Sequence, residues 1–67
     1  MINYEIFLND VLVSTNKLEG LAFLEYQSAC LLGRGSIVRV DSNPDPVLGG
    51  RYKYDPSIGG WDYVGRA

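Results

Sequence analysis

One run of eighteen residues constrains what this chain can fold into. Asn16 to Gly33, NKLEGLAFLEYQSACLLG, is the one segment that reads as a helix, and alternating stretches flank it on both sides. It is therefore the element on which a sheet must close. Its ends carry the prediction. Asn16 is positioned to act as N-cap, with Glu19 three residues on reaching back to the Asn16 amide as a capping box. Gly33 is positioned to supply the left-handed residue that stops the helix. Gly20 is the weakest point, since glycine in a helix interior costs about 1 kcal/mol against alanine.

The apolar residues of this helix do not form a single stripe. At 100° per residue Leu18, Ala22, Ala29 and Leu32 gather on one side with Glu25 between them. Phe23, Tyr26 and Cys30 lie clockwise of these, and Leu21, Leu24 and Leu31 lie on the far side. A helix apolar nearly all round needs cover on more than one side, yet 67 residues supply one sheet. The expectation is that loops 42–50 and 55–60 fold back over the second side. The alternative is that this side is a surface for self-association or for a partner.

Upstream, Ile2, Tyr4, Ile6 and Leu8 alternate with Asn3, Glu5 and Phe7, the pattern of a half-buried strand. Asn9-Asp10 is a two-residue link tolerant of positive φ, and Val11–Thr15 returns as the second arm of a hairpin. A two-residue turn sets Leu8 opposite Val11 and Ile6 opposite Val13, so Tyr4, Ile6, Leu8, Val11 and Val13 are expected under the helix. Phe7 and Leu12 then pair on the other face. They either pack beneath the C-terminal tail or form a binding patch.

Downstream, Gly33-Arg34-Gly35-Ser36 reads as a turn and Ile37–Asp41 as a β-branched strand. A phosphate loop would follow a strand and open a helix, and this glycine pair does the reverse. Ser42–Gly50 carries Asn43-Pro44, Asp45-Pro46 and Gly49-Gly50 and is a loop. Arg51–Tyr54 and Trp61–Val64 are two further short strands joined through Asp55–Gly60. In them Tyr52 and Tyr54 share a face, as do Trp61 and Tyr63. The fold class is α+β: one small domain over residues 1–67, ββα followed by two or three strands, an antiparallel sheet with one helix on one face.

Size and composition narrow the function. A chain this short rarely gains more than ~3–5 kcal/mol from its core without staples. With one cysteine and no histidine it has neither a disulfide nor a Cys/His zinc site to help. No charged leader precedes an apolar core, and no run approaches a membrane span, so a cytoplasmic protein is expected, with no membrane partner. The net charge of −2 divides into −3 over residues 1–33 and +1 over residues 34–67, too weak a positive balance for a nucleic-acid footprint. Asp41-x-Asn43-x-Asp45 opens like a calcium loop but has Pro46 where glycine is needed and Tyr52 where the bidentate glutamate should fall, so an Asx-rich turn is expected. No histidine can serve as general base, and Cys30, among apolar neighbours, is expected to be buried and inert. No catalytic residue, cofactor or metal ligand is assigned.

What remains is recognition. Tyr52, Tyr54, Trp61 and Tyr63, with Arg51 and Lys53 alternating between them, are residue types that dominate protein interfaces, and Phe7 with Leu12 forms a second candidate. The expected function is a non-enzymatic protein–protein interaction module, an inhibitor or adaptor acting on an unidentified protein partner. The format is similar to that of phage and mobile-element host-takeover and anti-CRISPR proteins, although no motif assigns a family. Two alternatives stand beside it. One is a single-stranded nucleic-acid binder using the C-terminal aromatic and basic strands, the same four rings with Arg39, Arg51, Lys53 and Arg66. The other is a small structural subunit of a homo-oligomer built through the helix.

Overall fold

The computed structural model describes residues 1–45 and 47–66. The Asp45–Pro46 bond and the calcium-loop position of Pro46 lie outside them. The order of elements is β1 (Ile2–Leu8), β2 (Val11–Asn16), α1 (Glu19–Leu32), β3 (Gly35–Asp41), β4 (Gly50–Asp55) and β5 (Gly60–Gly65). The strands form one sheet in the order β2-β1-β3-β4-β5, with every neighbouring pair antiparallel. The α+β expectation holds, with three strands after the helix. Because β2 and β3 both run against β1, they are parallel to each other, and α1 is the crossover that carries the chain over β1.

The hairpin turn is the one its residues demand. Asn9 and Asp10 both have positive φ, 51° and 67°, which is the I′ geometry that matches strand twist. Leu8 pairs with Val11 as expected, but Ile6 pairs with Ser14 rather than Val13. The register shifts between Ile6 and Phe7, leaving Val13 as the extra residue of a β-bulge. Val13 is thereby left exposed instead of joining the core, and Val11, although in its expected register, is exposed as well at the hairpin tip. No local signal in Val11–Thr15 announces that shift.

The helix begins and ends differently from the expectation. Its N-cap is Leu18, which makes no side-chain capping bond. Asn16 instead accepts from the Leu18 amide at 2.9 Å and donates to Glu25 at 3.0 Å, while Glu19 accepts from the Tyr4 hydroxyl at 3.1 Å. The capping box is replaced by tertiary bonds. Gly33 is extended, not left-handed, and its amide donates to the Ala29 carbonyl at 3.0 Å. A Cβ there would lie 2.8 Å from Asn9 Oδ1, so any larger residue has to displace the Asn9 side chain.

The core is small. Tyr4 and Ile6 from β1, Ala22 and Ala29 from α1 and Ile37 from β3 are buried together, with Ile6 and Ile37 wholly inaccessible. The two alanines let the helix approach the sheet closely, and Gly35 does the same from the strand side: a Cβ there would meet the Cys30 amide nitrogen at 2.7 Å. On the other face Val38 is also buried, and an Arg51–Glu5 ion pair at 2.5 Å spans β3 beside it.

Candidate interaction surface

The helix lies over β1, β2 and β3 and makes no backbone approach to β4 or β5. The same sheet face therefore has a covered half and an open half. Alternation decides what stands on the open half. Tyr52 pairs with Tyr63 and Tyr54 with Trp61, so all four rings project from one side of the β4–β5 hairpin, with centroids 5.4 Å and 5.5 Å apart within the pairs.

The four rings do not have equal roles. Phe23 and Tyr26 reach from the flank of the helix to meet Tyr54 at 5.1 Å and 5.9 Å, and Phe23 meets Trp61 at 5.8 Å. Tyr54 and Trp61 thus extend the core sideways. Tyr52 and Tyr63 stand beyond it, and Tyr63 is 56 % exposed. Burial pushes the Tyr26 hydroxyl up from its ordinary value, and a bond with Cys30 pushes it further.

A cation completes this surface. Arg39 shares the face because β3 presents Ile37 and Arg39 on the same side, and its register partners are Tyr4 and Tyr52. Its guanidinium lies 4.8 Å from the centre of the Tyr52 ring and 5.5 Å from that of Trp61, within cation–π range. Among the described residues Arg39 has no carboxylate partner, and its buried Nε has no hydrogen-bond acceptor. The sequence offers Arg39 only to the nucleic-acid alternative; its two-residue spacing from Ile37 is the signal that sets it on the face of the rings.

Arg51 and Lys53 point to the opposite face, with Arg51 already paired to Glu5. The rings and these two cations therefore form no common groove. Phe7 and Leu12 pair on that opposite face, as the hairpin implied. Phe7 is half-buried and Leu12 is 49 % exposed. The C-terminal strand cannot cover them, because β5 is at the far edge of the sheet.

Two expectations about the helix are overturned. Cys30 is exposed rather than buried. The loops do not fold over the second helical side either: Leu18, Leu21, Leu24, Leu31 and Leu32 remain 48–89 % exposed. The 42–50 loop instead packs on itself through successive Asx turns, in which Asp41, Asn43 and Asp45 side chains accept from the amides of Asn43, Asp45 and Val47 at 2.8–2.9 Å. No helix among the described residues is long and apolar enough to cross a membrane. Compared with protein-family models, curated proteins and solved structures, the chain matches none of them.

Proposed function

We propose that this protein is a small non-enzymatic protein–protein interaction module, an inhibitor or adaptor that works by occupying a partner's surface. The observation that carries the reading is Arg39 stacked on Tyr52 and Trp61 beside exposed Tyr63, with no counter-charge among the described residues. Arginine, tyrosine and tryptophan are the residues that contribute most to interface affinity. A guanidinium already held between rings loses little freedom on binding, and its unpaired charge favours a partner that brings a carboxylate. Tyr52, Tyr63, Arg39 and the outer edge of Trp61 are the contact residues of this reading, and Tyr54 supports them. Phe7 and Leu12 offer a second, smaller contact. A cytoplasmic setting belongs to the same proposal, supported by a lone cysteine that has no partner with which to form an intrachain disulfide.

The test is affinity capture from nuclease-treated lysate of the source cell, with the wild-type chain and an Arg39→Met/Tyr63→Ala double variant as baits. Methionine keeps the apolar stem over the rings while removing the charge. A protein retained at stoichiometric amounts by wild type and lost by the double variant supports the reading. Retention that survives the double substitution contradicts it. So does tight binding of single-stranded DNA or RNA whose affinity falls steeply between 50 and 200 mM salt, on the order of 10³-fold or more, because that is the signature of phosphate recognition.

A further inference from the structure

The outward side of the helix carries an apolar stripe with regular spacing. Leu21, Leu24, Ser28 and Leu31 recur at intervals of three, four and three residues, the a/d rhythm of helices that pair with helices. Leu18 precedes the stripe and Leu32 follows it. These residues lie on the flank of α1 away from Phe23 and Tyr26, so the stripe is separate from the ring surface. Beside it, Ile6, Leu8, Val13, Ala29 and Leu32, together with the Glu25 carboxylate, border a shallow groove of about 380 Å³ between α1 and β2. The β-bulge at Val13 helps to form that wall, with Val13 54 % exposed.

We infer that this face binds a second copy of the chain, α1 against α1, in a two-fold symmetric dimer. Three observations select a second copy over a foreign partner. The first is area. The exposed portions of Leu18, Leu21, Leu24, Leu31, Leu32 and Val13 add up to nearly four whole residues. That corresponds to roughly 600–700 Å² of exposed surface on these six apolar residues, close to the ~800 Å² per partner of a stable interface.

The second is charge. The ionisable side chain at this face is Glu25, and the Ser14 hydroxyl and the Asn16 amide already bond both of its oxygens. The stripe of Leu21, Leu24, Ser28 and Leu31 itself carries no charge with which to choose a foreign partner, and two copies meet along it with the Glu25 carboxylate held to one side by β2. The third is the core. Six buried hydrophobic residues among those described, with no intrachain disulfide, leave a chain of this size short of stabilisation, and burying the stripe supplies it. In the dimer the leucines of one protomer interdigitate with those of its partner, Leu32 and Val13 line the ends, and both ring surfaces stay free.

Sedimentation equilibrium of the full chain from 1 to 200 μM tests this, with Leu24→Glu/Leu31→Glu and Ser28→Leu variants alongside. Leu31 is 89 % exposed and Leu24 59 %, so the double substitution leaves the monomer's packing intact, which far-UV circular dichroism checks. Wild type is expected to be a discrete dimer at micromolar concentration. The glutamates should weaken it by at least about 100-fold, and Ser28→Leu, which fills the polar gap in the stripe, should tighten it roughly tenfold. A wild-type monomer throughout the range overturns the inference. So does a dimer that the double glutamate variant leaves unchanged. Partner capture through Arg39 and Tyr63 does not depend on either result.

Discussion

Ile6 and Ile37 face each other across β1 and β3 with no access to solvent, the largest fully buried side chains among the described residues. Truncating Ile37 to alanine should cost about 2–5 kcal/mol, through lost burial and the cavity left behind. In a domain whose core supplies only ~3–5 kcal/mol, that is enough to unfold most of the population, and urea titration followed by circular dichroism would read it. Gly20 is the opposite case. A Cβ there would meet nothing, so Gly20→Ala should stabilise by a few tenths to about 1 kcal/mol and raise the same midpoint. Asn9 has a less obvious role. Its amide donates to the Arg34 carbonyl and its side-chain oxygen accepts from the Arg34 amide, both at 2.8 Å, which ties the hairpin tip to the end of the helix. Asn9→Gly keeps the turn geometry, removes the second bond and should cost about 1 kcal/mol. Alternation made Tyr4 and Ile6 legible as core residues. It could not reveal that Asn16 and Glu19 abandon the helix cap, because their partners Glu25 and Tyr4 are nine and fifteen residues away.

At the scale of elements, the attachment of β2 to α1 rests on Glu25. Hydrogen bonds from the Ser14 hydroxyl and then the Asn16 amide hold its carboxyl below the ordinary value of 4.5, against a small opposing effect of burial. A carboxylate whose folded value is depressed contributes stability that is fully present above the unfolded value and lost as pH falls through the folded one. Amide exchange in β2 should therefore accelerate as pH is lowered below about 4.5, after correction for intrinsic rates. Glu25→Gln should raise β2 exchange at neutral pH and flatten that acid dependence. Asp55, lowered in the same sense by Ser57, lies in the β4–β5 turn and should leave β2 exchange unaffected. The strands and the helix were legible as elements, since period and turn residues coincide in Ile2–Leu8, Asn9-Asp10 and Trp61–Val64. The bulge at Val13 was not: nothing local marks it, and its result, Ser14 opposite Ile6 with its hydroxyl bonded to Glu25, is a tertiary arrangement.

For the whole molecule, one sheet face divides into a half that the helix covers and a half that it leaves open. The division follows from the reach of the helix: Phe23 and Tyr26 extend as far as Tyr54 and Trp61, while Tyr52, Tyr63 and Arg39 stand further out. Sequence alternation put the four rings on one face but could not separate the supporting rings from the exposed ones, which depends on where the helix crosses the sheet. It also left open whether loops would cover the leucines, since loop paths follow from packing and not from periodicity. The division is tested most directly by the urea-unfolding free energies of Tyr54→Ala and Tyr63→Ala. Tyr54→Ala should lose about 2–4 kcal/mol, as a partly core aromatic does, and Tyr63→Ala less than about 0.5 kcal/mol. Equal losses at the two positions would mean that Tyr63 is held by the fold and would contradict a surface reserved for a partner.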